Sequence, residues 1–292
     1  MPMKVFVTGA TGYIGSAICE SLKNSGHAVA GLARTPEKAG TLEARGYLAV
    51  RGTLEDVALL EAAARDADAV IHTAMEFDEQ APARDRAAVE AILKATREPR
   101  KPFIYTSGVW VMGDTKGRML GEIAMTRPPA LVAWRPAVEE LVLASQGTVF
   151  RPGMVFGRSG GFLAGMFNEA RTTGAVRVIG TGENHWSSVH IDDLARLYAL
   201  ALVEPAPGEL FITCGGMPQP VKKIALAVAQ ACGIEGKVES IDLEAARARL
   251  GPRADCLAMD LKAGSTKAAR FFGWKVEKPS VFDEIFSGSY GS

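Results

Sequence analysis

The segment from Lys4 to Gly15 joins a short apolar strand to three glycines spaced three residues apart and then to a helical pattern. In this arrangement Gly9 makes a tight turn, Gly12 leaves room for a ligand beside the main chain, and Gly15 lets the helix pack on the strand. The helix directs backbone N–H groups and the positive end of its dipole toward the turn. The segment therefore predicts a binding site for the diphosphate of a dinucleotide.

Composition excludes several other classes of protein. Of the 292 residues 48% are hydrophobic and 23% charged, and 33 basic side chains balance 33 acidic ones, so no strong field favours nucleic acid or an anionic membrane as a partner. No charged N-terminal segment precedes an apolar stretch, and no run is long enough to cross a bilayer, so we expect a cytoplasmic protein. The four cysteines and four histidines are not spaced as metal ligands usually are, so no metal site is predicted.

Strand and helix patterns alternate over the first half of the chain. This rhythm predicts an α/β fold with a doubly wound parallel sheet of the Rossmann type. After the first strand, the predicted strands are Ala28–Leu32, Tyr47–Val50, Ala69–Thr73, Phe103–Ser107 and Thr148–Arg151. The predicted helices between them are Pro36–Arg45, Leu54–Arg65, Ala83–Arg97 and Ala137–Ser145.

Beyond Arg151 the pattern loosens, which predicts a smaller C-terminal α/β substrate lobe. We expect residues 1–152 and part of 175–205 to form the dinucleotide-binding domain, and residues 153–174 and 206–292 to form the lobe. A strand at Leu210–Thr213 is assigned to this lobe. The Gly/Ser-rich tail at 287–292 is expected to be frayed.

The residues at the end of the second predicted strand indicate which nicotinamide cofactor the chain binds. NAD-binding folds commonly place an acid there for the ribose hydroxyls, whereas a basic residue accommodates a 2′-phosphate. This chain has no acid at that point and carries Arg34, with Thr35 and Lys38 close behind. Because a planar guanidinium suits a phosphate, we predict NADP(H), with NAD as the alternative.

Five motifs in order resemble the extended short-chain dehydrogenase/reductases, the NAD(P)-dependent epimerase/dehydratase group. They cover about residues 3 to 200, and the remainder resembles that family's variable substrate lobe only loosely. The motifs lie at residues 8–15, 68–74, 105–113, 151–157 and 188–195.

The resemblance implies roles for individual residues. Those assigned to the cofactor are the turn glycines with Thr11, the backbone donors Tyr13 and Ile14, Ala74 beside the nicotinamide ribose, and Pro152 and Val155 flanking the nicotinamide. Thr53 and Leu54 stand at the adenine position, where relatives usually have an aspartate after the third strand, so the carboxylate contact to the adenine amine is missing. Ser107 matches the serine that hydrogen-bonds a substrate carbonyl or hydroxyl.

The usual proton donor of the family is absent, because no tyrosine stands four residues before a lysine. Alignment puts Leu131 in the tyrosine slot and Arg135 in the lysine slot. Pro136 predicts an extended Arg135, a helix that begins at the proline, and a loop over residues 131–135. We expect Arg135 to reach a ribose or substrate oxygen without giving up a proton, and Ser107 to polarise a carbonyl. Tyr105 is assigned to core packing.

These patterns predict an NADP(H)-dependent oxidoreductase that acts on a small carbonyl or hydroxyl compound. A redox-inactive sensor of NADP(H) and a non-redox lyase or isomerase remain alternatives. A homodimer is suggested by the resemblance alone. The Gly157–Gly161 segment satisfies the G-x-S-x-G pattern of hydrolases, but it follows the Arg-Pro motif instead of forming a strand-to-helix elbow, and we set it aside.

Overall fold

The computed structural model describes residues 1–291. The first half of the chain alternates strands and helices, close to the predicted ranges. Its strands are β1 Lys4–Thr8, β2 Ala28–Ala33, β3 Leu48–Arg51, β4 Ala69–His72, β5 Phe103–Thr106 and β6 Thr148–Pro152. Its helices are α1 Tyr13–Asn24, α2 Pro36–Ala44, α3 Val57–Asp66, α4 Ala81–Thr96 and α5 Arg135–Ala144, with 3₁₀ turns at Val109–Met112 and Ala130–Val132.

The second half has shorter elements. Its strands are β7 Met154–Gly157, β8 Val176–Ile179, β9 His185–Trp186, β10 Ser188–His190, β11 Leu210–Thr213, β12 Gln219–Pro220 and β13 Val238–Ile241. Its helices are α6 Gly161–Thr173, α7 Ile191–Val203, α8 Val221–Ala231, α9 Leu243–Leu250, α10 Arg253–Ala258, α11 Thr266–Phe272 and α12 Val281–Ser287. Within residues 1–291 no helix combines the length and apolar character needed to cross a bilayer.

One seven-stranded sheet confirms the predicted fold class. Its strand order is β11-β6-β5-β4-β1-β2-β3, and the pairings among β1 to β6 are all parallel. Buried side chains of α3, α4 and α5 pack on one face of the sheet, as Leu60, Ile92 and Val138 do beside Phe6. The opposite face carries α2, because a Cβ on Gly31 would meet the Leu42 side chain at 2.7 Å. The sheet is therefore doubly wound, with β1 at the point where the strand order reverses.

Contacts divide the chain into two compact units whose boundaries differ from the predicted domains. The first unit comprises residues 1–107, 134–150 and 194–211, and the second comprises 108–133, 151–193 and 212–292. The second unit was expected to be smaller, yet the two are similar in length. The strand at Leu210–Thr213, predicted for the lobe, is the edge strand of the main sheet.

The second unit has its own core and three two-stranded ladders. β7 pairs with β10 and β8 with β13 in parallel, whereas β9 and β12 are antiparallel. Leu163 of α6, Ile224 and Val228 of α8, and Leu261 are fully buried in its core. The tail was expected to be frayed, and for residue 290 this is wrong, because Tyr290 is 3% exposed and stacks on Phe167 with the rings 5.1 Å apart. The last residue of that tail, at position 292, lies outside the described residues.

Candidate functional site

The turn between β1 and α1 leaves no room for a Cβ at Gly9 and Gly15 and little room at Gly12. Gly9 has φ +71°, and a Cβ there would lie 2.7 Å from the Ala74 nitrogen. A Cβ on Gly15 would lie 2.1 Å from the Gly9 carbonyl oxygen, and one on Gly12 would lie 3.1 Å from the same atom. The Gly12 N–H donates to that oxygen at 2.8 Å. The glycine spacing read from the sequence therefore corresponds to a tight backbone turn that side chains would fill.

The N-terminus of α1 suits an anion. Gly12 precedes the helix and provides no side-chain cap, and the first turn, which begins with Tyr13 and Ile14, contains no acid. Thr11 is half-buried in the turn and Gly12 is exposed. The positive end of the helix dipole thus faces an open, glycine-lined turn, which fits the diphosphate of a dinucleotide.

Arg34, at the end of β2, forms an ion pair that the sequence did not predict. Its Nη1 contacts Oε1 of Glu76, a residue of the segment between β4 and α4, and the Arg34 side chain is 56% exposed. Thr35, expected to help Arg34, caps α2 by accepting a hydrogen bond from the Lys38 N–H at 3.4 Å. Arg34, which is predicted to bind the 2′-phosphate, is therefore exposed at the surface, but its guanidinium already has a carboxylate partner.

A second arginine holds the same carboxylate from the other side. Nη1 of Arg84, on α4, contacts Oε2 of Glu76 and lies 3.1 Å from Asp78 Oδ2, while its Nε lies 3.0 Å from Glu55 Oε1. The hydrogen bond from Arg84 holds the pKa of the Asp78 carboxyl below its ordinary value. Glu76 consequently bridges Arg34 and Arg84.

A cavity lies next to this cluster. It is lined by Leu54, Met75, Glu76, Ala81, Arg84, Asp85 and Trp134, all of the first unit. Leu54, assigned to the adenine position, forms part of the wall. Its neighbour Thr53 is engaged locally, because both its N–H and its hydroxyl donate to Asp56 Oδ2, at 2.6 and 3.0 Å.

Arg135 lies at the start of α5 and is 5% exposed. The predicted extended conformation is wrong: Trp134 is already helical, and Arg135 and Pro136 are the first two residues of the helix. The guanidinium donates to the Thr106 carbonyl oxygen at 2.9 Å and to the Tyr105 hydroxyl at 3.3 Å, and it contacts Met75 Sδ. Arg135 thus holds the end of β5, immediately before Ser107.

A buried polar chain continues from Tyr105 through the first unit. The Tyr105 hydroxyl donates to Asp85 Oδ2 at 2.8 Å, and Asp85 Oδ1 lies 3.1 Å from His72 Nε2. The His72 Nδ1 lies 2.9 Å from the Thr8 hydroxyl, at the end of β1. Burial raises the pKa of Tyr105 well above its usual value. Tyr105 is a core residue, as expected, but its hydroxyl is committed to a carboxyl group and is too weak an acid to replace the missing donor.

Sequence reasoning missed Asp85 and His72 as parts of this chain. One signal was present in the sequence, because Asp85 stands three and four residues before Ala88 and Val89, on the apolar face of the α4 pattern, where an acid is found only when it is paired. The chain links the strand ends at which the cofactor motifs lie, since Thr8 also accepts hydrogen bonds from the N–H groups of Thr73 and Ala74, at 3.3 and 3.4 Å.

Ser107 follows the end of β5 and donates its N–H to the Phe150 carbonyl oxygen at 2.7 Å. Its hydroxyl oxygen is shielded from solvent and has no hydrogen-bond partner among the described residues. A shielded hydroxyl without a partner is costly unless a ligand satisfies it. Ser107 therefore has the free hydrogen-bonding capacity that a substrate-orienting residue needs.

Pro152 and Val155 lie in the second unit. Pro152 ends β6 and is buried, and Val155 is half-buried on β7, opposite Val189 of β10. Between them Gly153 is packed so closely that a Cβ would lie 2.7 Å from the Ser187 carbonyl oxygen. The Arg-Pro-Gly motif thus forms a tightly packed segment of the second unit.

The G-x-S-x-G segment anchors the C-terminal tail. Arg158 and Ser159 have φ values of 51° and 55°. The Ser159 hydroxyl contacts the Ser289 carbonyl oxygen, and the Tyr290 hydroxyl accepts from the Gly157 N–H at 2.7 Å. The motif is therefore a turn that binds the tail, and Ser159 has no base beside it among these contacts.

The comparisons with known proteins agree with the resemblance seen in the sequence. The model of the NAD dependent epimerase/dehydratase family matches residues 5–212. An uncharacterised protein of Schizosaccharomyces pombe is 33% identical, over 99% of this chain and all of that protein. A 4-hydroxy-2-methyl-3-oxo-4-farnesyl-3,4-dihydroquinoline-1-oxide ketoreductase of Stigmatella aurantiaca is 27% identical, over 84% of this chain and 78% of that enzyme.

Solved structures share the fold at lower identity. The dTDP-glucose 4,6-dehydratase of Bacillus anthracis, solved in complex with NAD, superposes with a TM-score of 0.82 at 16% identity. The superposition covers 98% of this chain and 95% of the dehydratase. At this identity the likeness concerns the fold.

Proposed function

The chain belongs to the NAD-dependent epimerase/dehydratase family, and from this premise we propose that it is an NADP(H)-dependent oxidoreductase acting on a small carbonyl or hydroxyl compound. The observation that carries the proposal is the uncapped glycine turn before α1, beside a strand end that presents Arg34 and no acid. The name of the Stigmatella relative, a ketoreductase, supports a carbonyl substrate.

In this proposal residues of the first unit hold the cofactor. The turn from Gly9 to Gly15 receives the diphosphate on its backbone N–H groups, and Arg34 receives the 2′-phosphate. Leu54 packs against the adenine, and Ala74 lies beside the nicotinamide ribose. The assignment of Pro152 and Val155 to the nicotinamide remains a prediction from the resemblance, as does the homodimer.

The bound reduced cofactor would supply a hydride to a carbonyl carbon, and a proton from water would complete the alcohol. Ser107 donates a hydrogen bond to the carbonyl oxygen, where negative charge develops as the hydride arrives. A preorganised donor of this kind contributes about 3 to 4 kcal/mol to lowering the barrier. Arg135 positions Ser107, because it holds the Thr106 carbonyl at 2.9 Å, one residue before the serine. A guanidinium is not a proton donor in enzyme chemistry, so the proton comes from elsewhere.

The test is a panel of aldehydes, ketones and enones with NADPH, followed by absorbance of the nicotinamide, after calorimetry has established that NADPH binds. We expect turnover of at least one class of carbonyl compound. The variant Ser107→Ala is expected to lower kcat by about 100- to 1,000-fold while the affinity for NADPH is unchanged. Ser25→Ala serves as the matched control, because Ser25 is exposed at the end of α1.

A second function is favoured by the residues at the usual proton-donor positions. The tyrosine–lysine pair is missing, Leu131 packs against the core of the second unit, and the Arg135 guanidinium is bonded to protein groups. A redox-inactive sensor of NADP(H) would need no acid. It predicts binding that discriminates sharply between NADP⁺ and NADPH with no turnover of any carbonyl compound. Non-redox lyase or isomerase chemistry predicts instead that a substrate disappears with no change in nicotinamide absorbance.

A further inference from the structure

We infer that Glu76 determines how the chain discriminates between NADP(H) and NAD(H), an inference that rests on the proposed function. The two carboxylate oxygens of Glu76 serve different arginines: Oε1 contacts Arg34 and Oε2 contacts Arg84. Arg34 is the predicted reader of the 2′-phosphate. A carboxylate therefore stands where the phosphate would bind.

The fixed charges around Arg34 do not favour added negative charge. The ion-paired cluster contains two arginines, Arg34 and Arg84, and three acids, Glu55, Glu76 and Asp78. Its formal charge is thus negative by one. A 2′-phosphate adds about two further negative charges next to Glu76, whereas the ribose of NAD adds none.

The two arginines hold Glu76 with different strength. The Arg34 side chain is 56% exposed and Glu76 is its acidic partner in this cluster, so Arg34 is free to turn toward a phosphate. The Arg84 side chain is only 14% exposed and also pairs with Glu55 and Asp78, so it stays in place and keeps Glu76 beside the phosphate position.

Glu76 also supplies what the end of β2 lacks. In NAD-binding folds an acid at that strand end accepts hydrogen bonds from the ribose hydroxyls. Here the segment after β4 brings a carboxylate to Arg34, although 42 positions separate the two residues in the chain. Arg34 thus favours the phosphorylated ribose, and Glu76 favours the free one.

Calorimetric titration with NADP⁺ and NAD⁺ tests the inference on the binding step alone. With the variant Glu76→Gln, loss of one charge near a divalent phosphate in a partly exposed cluster is expected to tighten NADP⁺ binding about tenfold, with no gain for NAD⁺. The variant Arg34→Gln is expected to weaken NADP⁺ binding by about tenfold. The gain from Glu76→Gln should shrink at high salt, because partly exposed charges are screened.

Two matched controls separate Glu76 from the general charge of the cluster. Glu55→Gln and Asp78→Asn each remove one negative charge from Arg84 but leave the Arg34–Glu76 pair intact. We expect each to change the ratio of the two dissociation constants by less than about twofold. All three acids are at least partly exposed, so the substitutions leave the fold intact.

The possible failures are distinguishable. If Glu76→Gln leaves the ratio of the NADP⁺ and NAD⁺ dissociation constants unchanged, or shifts it no more than the two controls do, the inference is overturned and the proposed function stands. If the wild-type chain binds neither nucleotide, the proposed function itself is refuted.

Discussion

Removing the Tyr105 hydroxyl from the buried chain of hydrogen bonds in the first unit should destabilise the protein far more than removing the hydroxyl of Tyr198. Tyr105 and Tyr198 are both fully buried. The Tyr105 hydroxyl donates to Asp85 at 2.8 Å and accepts from Arg135 at 3.3 Å. The Tyr198 hydroxyl lies 2.6 Å from that of Thr106, which is neutral. The two tyrosines differ mainly in the charge of their partners.

The magnitudes follow from these partners. A hydrogen bond to a charged group contributes about 1.5 to 3 kcal/mol, and a neutral one about 0.5 to 1.5 kcal/mol. The substitution Tyr105→Phe leaves Asp85 with His72 as its remaining side-chain partner, so we expect a loss of about 3 kcal/mol in the free energy of unfolding. For Tyr198→Phe we expect about 1 kcal/mol. Burial raises the pKa of both phenols, so both hydroxyls are protonated and able to donate at neutral pH, where the comparison is made.

Urea unfolding followed by tryptophan fluorescence measures both losses, provided that the dependence on urea is the same in all variants. The double variant of Tyr105→Phe with Asp85→Asn completes the test, because two residues in contact should lose less together than the sum of their separate losses. An equal cost for the two tyrosines, or additive losses for Tyr105 and Asp85, would show that the buried chain contributes no special stability.

Three further outcomes are expected. Gly15→Ala should abolish calorimetric binding of NADPH, because its Cβ would lie 2.1 Å from the Gly9 oxygen, whereas Gly40→Ala, with open space around it, should bind normally. Burial holds the pKa of His190 below its ordinary value of 6.5, so the contribution of its neutral imidazole to the free energy of unfolding should be fully present above about pH 6.5 and should be lost as the pH falls further. The same decline in the variant His190→Gln would contradict this. Tyr290→Ala should lower the free energy of unfolding by about 3 to 5 kcal/mol and speed hydrogen exchange in residues 157–161. Unchanged exchange there would show that the tail does not hold this turn in place.

The sequence predicted most of the sheet because its signals are local. The apolar runs that became β4 and β5 were each placed within one residue of their ends, and the glycine spacing at Gly9, Gly12 and Gly15 predicted a turn whose geometry excludes side chains. Periodicity and backbone sterics act over a few residues, so both can be read from a short stretch of sequence.

Local rules failed where a neighbour distant in sequence decides the outcome. Pro136 favoured an extended Arg135, but the contacts of its guanidinium with Tyr105 and the Thr106 carbonyl hold Arg135 in the first turn of α5. The composition of the tail suggested fraying, but Tyr290 finds an aromatic partner in Phe167. In each case tertiary contacts outweigh a weak local preference.

By itself the sequence determined a doubly wound sheet, a tight glycine turn after the first strand and a serine after the fifth strand. Only the tertiary structure decided that Glu76 meets Arg34 and that Asp85 lies between Tyr105 and His72. The physical reason is that periodicity and glycine spacing describe one segment at a time. Which charged side chains become neighbours depends instead on the arrangement of the strands, since β2 and β4 flank β1 and all three run parallel, so the segments that follow β2 and β4 leave the same end of the sheet.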